Sequence, residues 1–121
     1  MRIYLRQFLA ILLLSLGLAV NVFAQDVGSV KIQDLPREAQ QTLQLIQQGG
    51  PFPYDKDGSV FGNYERQLPK RARGYYHEYT VKTPYARNRG ARRIITGGER
   101  QPYRELYYTA DHYASFKRIQ Q

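Results

Sequence analysis

Beyond the N-terminal segment, a helical repeat of apolar residues occurs once, and it stops at Gly49-Gly50-Pro51. Leu35, Ala39, Leu43 and Ile46 fall at that spacing, so they share one helix face that must be buried against another layer. Pro36 suits the first turn, where its missing N–H has no partner to lose, and Glu38 sets a carboxylate at the positive end of the helix dipole. After Pro51 the chain changes to short aromatic and β-branched runs separated by Gly, Pro, Asn and Asp, the pattern of strands and turns. Strands are expected at 60–63, 75–83, 92–96, 107–109 and 113–118, after an extended lead-in over 25–34. Along 75–83, alternation points Tyr75, His77, Tyr79 and Val81 one way, and Tyr76, Glu78, Thr80 and Lys82 the other. One helix followed by consecutive strands predicts an α+β domain, its helix packed on a single antiparallel β-sheet.

The first residues belong outside that domain. Arg2 and Arg6 precede a nearly unbroken apolar run from Phe8 to Val20, and Val22-Phe23-Ala24 offers a cleavage site. This reads as a secretory signal peptide over residues 1–24, cut after Ala24. A membrane anchor is the competing reading, but the run is short for a span of ~20 residues. The expected domain, residues 25–121, has one small core and little stability to spare. Losing Arg2 and Arg6 with the leader lowers the net charge from +8 to +6. A basic exported protein has a polyanion as its natural partner. The absence of cysteine excludes disulfides, thiolate metal sites, cysteine nucleophiles and lipid attachment at a cysteine. The product is therefore expected in the periplasm or the medium, free of the membrane once the leader is cut.

Three groups carry potential chemistry. Glu78 lies mid-strand on a face read as polar, four arginines surround a glycine in Arg87-Asn88-Arg89-Gly90-Ala91-Arg92-Arg93, and Asp111-His112-Tyr113 precedes an apolar strand. A carboxylate can take the proton of a 2′-hydroxyl, a histidine can protonate a departing 5′-oxygen, and arginines can hold charge growing on phosphorus. Taken singly, each group is more often a surface feature, and His77 points away from Glu78. Spacing alone leaves open a catalytically idle cationic protein that binds nucleic acid or envelopes.

Five ordered runs go further. They are Gly50-Pro51-Phe52-Pro53-Tyr54, Val60-Phe61-Gly62-Asn63-Tyr64-Glu65, Gly74-Tyr75-Tyr76-His77-Glu78-Tyr79-Thr80-Val81, Arg89-Gly90-Ala91-Arg92-Arg93-Ile94-Ile95 and Tyr107-Tyr108-Thr109-Ala110-Asp111-His112-Tyr113. Together they resemble the microbial guanyl-specific ribonucleases, particularly the bacterial branch of barnase-like and streptomycete enzymes. The resemblance implies cleavage of single-stranded RNA after guanosine through a 2′,3′-cyclic phosphate, by a monomer without metal or cofactor. It implies Glu78 as general base, His112 as general acid, and Arg89 and Arg93 on the reacting phosphate, with Tyr113 hydrogen-bonding the phosphate as well. It implies a guanine site at Phe61, Asn63, Tyr64 and Glu65. There Glu65 accepts from N1–H and the exocyclic amine, backbone N–H groups around Asn63 and Tyr64 meet O6 and N7, and Phe61 stacks on the purine.

The chain departs from the bacterial pattern at Gly62, where relatives carry a polar residue, and at Tyr64, where they carry arginine. Tyr64 is similar to the tyrosine that covers the base in the fungal enzymes. The missing arginine also serves barnase-like enzymes in binding their inhibitor, which puts a barstar-like protein partner in doubt. The disulfide of the streptomycete members is missing, and the loop over 98–106 looks longer than theirs. A metal-dependent nuclease is disfavoured because the histidines and acids lack metal-ligand spacing, and a DNA-directed enzyme because the mechanism needs a 2′-hydroxyl.

Overall fold

In the computed structural model, which describes residues 27–121, the helical repeat becomes α1, Arg37–Gln48. The expected leader, residues 1–24, lies outside the described residues. Pro36 occupies the N-cap, and Gly49 closes the helix at φ 80°. Its N–H and that of Gly50 donate to the carbonyls of Ile46 and Leu45 at 3.2 and 3.0 Å. That left-handed cap suits glycine because any Cβ would strain it.

The strands are β1 (Ser29–Lys31), β2 (Ser59–Val60), β3 (Tyr76–Thr80), β4 (Arg93–Gly97), β5 (Glu105–Thr109) and β6 (Lys117–Gln120), with a single 3-10 turn, Ile32–Asp34, leading into α1. They form one sheet in the order β1-β6-β5-β4-β3-β2. From β2 to β6 every neighbouring pair is antiparallel. The single antiparallel sheet stands as expected but for one edge, where β1 runs parallel to β6 with Ser29 opposite Arg118. A parallel neighbour needs a long crossover, and here the rest of the domain supplies it.

Three expected strands are shorter than alternation implied, of which 75–83 keeps only Tyr76–Thr80. The segment 113–118 becomes extended only at Lys117, because His112 and Tyr113 hold φ of 54° and 72°. The segment 60–63 leaves the sheet after Val60, before Asn63 at φ 53°. Positive φ turns the chain out of an extended path, and both turns carry expected site residues.

Both sheet faces are covered. Leu35, just ahead of α1, and Ala39, Leu43 and Ile46 within it pack on Tyr79, Val81, Ile94, Leu106, Tyr108 and Ile119. The opposite face holds a second cluster of Leu68, Tyr76, Ile95, Tyr107 and Phe116. Glu78 therefore rises from a half-apolar face, rather than from the polar face its neighbours in sequence implied. Tyr75 also breaks the expected alternation, since β3 begins after it and its ring packs against this second cluster.

Glu105 is buried at the margin of that face, accepting hydrogen bonds from the hydroxyls of Tyr75 and of Tyr107 (2.7 Å), with Arg71 at 3.5 Å. Burial alone would raise its pKa, but the two phenols and Arg71 outweigh it and hold the carboxyl below the ordinary range. A depressed folded-state pKa stabilises the fold above the unfolded value, and the gain is lost as pH falls through the folded one. Glu105→Gln is expected to cost about 2 kcal/mol at neutral pH, read as a lower urea midpoint, with the gap closing in acid. Equal midpoints at neutral pH would show that the charge contributes nothing.

Candidate active site

Glu78 stands in the middle of β3, opposite Ile95 of β4, and faces away from α1. Its side chain is 13% exposed. Arg89 Nη2 donates to its Oε1 at 3.0 Å, and the Tyr113 hydroxyl donates to its Oε2 at 2.6 Å. Arg89 is itself fixed through Nε and Nη2 on Thr80 Oγ1, at 3.1 and 2.8 Å. Both oxygens of the carboxylate thus accept a hydrogen bond, and one of these must be exchanged when a substrate hydroxyl approaches. Burial, followed by the hydrogen bond to Glu78, pushes the Tyr113 phenol up to about 12, against the opposing pull of Arg93. At neutral pH that hydroxyl is a donor.

Arg93 opens β4 and is almost fully buried. Its Nη1 donates to the carbonyls of Gly90 and Arg92 at 3.0 and 2.8 Å, which leaves Nε buried without a hydrogen-bond partner. A buried guanidinium with a donor to spare, acting on Tyr113, has the chemistry to bind an anion.

His112 is exposed on the turn after β5, and its ring lies 4.7 Å from that of Tyr113. The turn is tightly bound. His112 N–H donates to the Ala91 carbonyl at 2.9 Å, which ties it to the arginine segment. Thr109 Oγ1 donates to Asp111 Oδ1 at 2.8 Å and accepts from the Tyr113 N–H at 3.2 Å. Asp111 also takes the hydroxyl and N–H of Ser115 at 2.5 and 2.9 Å, and the Ser115 contacts above all hold its carboxyl below the usual range.

The segment 61–65 forms the facing wall. One cleft is lined by Phe61, Asn63, Tyr64 and Glu65 together with His112 and Tyr113. Phe61 is half-buried, its ring 5.0 Å from Tyr113 and 6.0 Å from Phe116, so it packs on the second core and lines the cleft at once. The Asn63 side chain is consumed in holding the loop, donating to the Leu68 carbonyl at 2.9 Å and accepting its N–H at 3.1 Å. Tyr64 is 83% exposed and lies against Gly62, where a Cβ would come within 2.5 Å of the ring. The two departures in this loop are one feature, because a side chain at 62 would displace the ring at 64.

The structure thus draws Glu78, Arg89, Arg93 and Tyr113 into one cluster and sets His112, Phe61, Asn63, Tyr64 and Glu65 around the adjoining cleft, with Tyr113 common to both. Sequence reasoning passed over Thr80, which orients Arg89, and Asp111 with Thr109, which orient the histidine turn. The signal for the latter was present: a threonine two residues before an aspartate is a frequent turn lock.

A family model described as ribonuclease matches residues 20–120. Guanyl-specific ribonuclease Sa3 of Kitasatospora aureofaciens is 60% identical over 93 residues, covering 77% of this chain and 64% of that protein's length. Guanyl-specific ribonuclease Sa of the same organism is 58% identical over 94 residues, covering 78% of this chain and 95% of the relative. Among solved structures, ribonuclease Sa2 with guanosine-2′-cyclophosphate superposes at a TM-score of 0.72 and 48% identity, over 78% of this chain and 97% of that one. Ribonuclease Sa2 complexed with mononucleotides gives 0.74 and 48%, over 79% and 96%.

Proposed function

Since the chain belongs to the microbial guanyl-specific ribonuclease family, we propose that it cuts single-stranded RNA 3′ to guanosine by acid–base catalysis without a metal. It is a guanyl-specific endoribonuclease. The observation that carries the residue assignment is the pairing of Glu78 with both Arg89 and Tyr113 beside the cleft of Phe61, Glu65 and His112.

Guanine enters between Phe61 and Tyr64, with Glu65 accepting from N1–H and the exocyclic amine and backbone N–H groups of 63–64 meeting O6. Glu78 then exchanges one of its donors for the ribose 2′-hydroxyl and takes its proton. The oxygen attacks phosphorus, while Arg89, Arg93 and Tyr113 hold the charge that gathers on the phosphoryl oxygens. His112 delivers a proton to the departing 5′-oxygen, leaving a 2′,3′-cyclic phosphate. Water opens that ring with the two roles reversed. Glu78 must be ionised and His112 protonated at the start, so the rate should fall on both sides of an optimum.

Two buried or half-buried guanidinium groups supply the positive charge that a metal brings elsewhere. Incubation with a short RNA containing all four bases, in excess chelator, should yield early fragments ending in guanosine 2′,3′-cyclic phosphate by mass spectrometry. Cleavage that stops with chelator would reject metal independence, and ends spread over all bases would reject the guanine site. The basic charge and apolar leader support an exported enzyme acting as a monomer on RNA. With tyrosine at position 64, we expect no tight complex with a barstar-like inhibitor.

A further inference from the structure

The loop at 61–65 is a ridge with a cleft on either side. The second cleft is lined by Gly62, Arg66, Lys70, Arg71 and Arg73, and it shares Phe61, Asn63 and Tyr64 with the first. Four cations fall within residues 66–73, and no acid occurs from 66 to 77. Lys70 and Arg73 are exposed, with no acidic partner in ion-pair reach among the described residues. The segment that carries them is nonetheless firmly placed. Tyr76 OH donates to the Pro69 carbonyl at 2.6 Å, the Tyr75 N–H to that of Ala72 at 3.1 Å, and Arg71 reaches Glu105 while lying 5.5 Å above the Tyr75 ring.

Holding like charges together on a fixed surface is unfavourable unless an anion joins them. We propose that this second cleft is a phosphate subsite for the same RNA strand, taking the backbone on the 5′ side of the bound guanosine. The inference rests on the ribonuclease reading. The guanosine's 3′-phosphate must lie toward Glu78 and His112, on one side of the ridge. The strand leaving its 5′-oxygen is then free to cross to the other, where Lys70 and Arg73 meet the next phosphates and the exposed Tyr64 ring offers a face to the neighbouring base.

The test compares the full chain with Lys70→Gln/Arg73→Gln and with the charge-keeping Lys70→Arg/Arg73→Lys on three substrates: GpU, the 5′-extended UUUGU and the 3′-extended GUUUU. The neutral variant should lose about tenfold in kcat/KM on UUUGU at low salt, and its log–log salt slope should shrink by about 1.4, for two single-strand phosphate contacts. GpU and GUUUU should stay within twofold, which also reports intact folding, and the charge-keeping variant should match the parent. An equal loss on both extended substrates would overturn the subsite in favour of a diffuse field. No loss on UUUGU would also overturn it and leave the cleft to an acidic protein surface. Failure of the parent on all three would instead sink the ribonuclease reading.

Discussion

Glu78→Gln is expected to lower kcat on GpU about 10³-fold, the scale of a lost general base. Glutamine keeps the size of the side chain, and its carbonyl can still accept from Arg89 or Tyr113, so the cluster should stay assembled. The amide simply has no affinity for a proton. Binding of guanosine 3′-monophosphate should therefore change only a few-fold, because Glu65 and the phosphate ligands are untouched. The acid limb of the pH profile should vanish with the group that makes it. A variant that keeps a tenth of the parent rate would remove Glu78 from the base role, whatever its contacts with Arg89 and Tyr113.

His112→Gln should cost a comparable factor on GpU, about 10³-fold, but for a reason that a second substrate exposes. The acid is needed because a ribose 5′-oxygen leaves poorly as an alkoxide. Replace that nucleoside with 4-nitrophenol, whose anion is stable, and much of the need for a proton disappears. On guanosine 3′-(4-nitrophenyl phosphate), the His112 variant should recover most of its lost rate, while Glu78→Gln stays defective because the 2′-hydroxyl must still be deprotonated. Equal defects of the histidine variant on both substrates would mean that His112 serves binding or turn geometry. The surroundings favour the acid role: the turn is locked by Thr109, Asp111 and Ala91, while the imidazole itself remains exposed.

How far these features could be read in advance depended on whether their cause was local. The stripe of Ala39, Leu43 and Ile46 on α1 and the alternation over Tyr76–Thr80 arise from spacing within a single element, and these stretches stand in the structure as expected. The parallel pairing of β1 with β6 joins residues from opposite ends of the domain, and nothing in Ser29–Lys31 names its partner. Alternation over 113–118 looked like a strand because it records side-chain polarity and is blind to the sign of φ. The hydroxyl of Thr109 and the carboxylate of Asp111 bend that stretch into a turn. Glu78 and the arginines were conspicuous as charged groups in a strand and a glycine-containing loop. Thr80 drew no notice, since a threonine in a strand is unremarkable until an arginine is seen resting on it. The second basic cleft escaped for a similar reason: nothing in the spacing of Lys70, Arg71 and Arg73 separates a built cleft from a run of solvated charge.

The place of β6 bears on when such an enzyme becomes dangerous. Last in chain order among the described strands, it nonetheless lies between β5 and β1 and is β1's one neighbour in the sheet of the described residues. Until β6 docks, β1 has no partner in the sheet of the described residues, and the turn bearing His112 and Tyr113 lacks the strand that follows it. Contacts that close so long a loop form late. β1 and the His112 turn are thus expected to order together, and the catalyst is complete only once β6 has docked between its two neighbours.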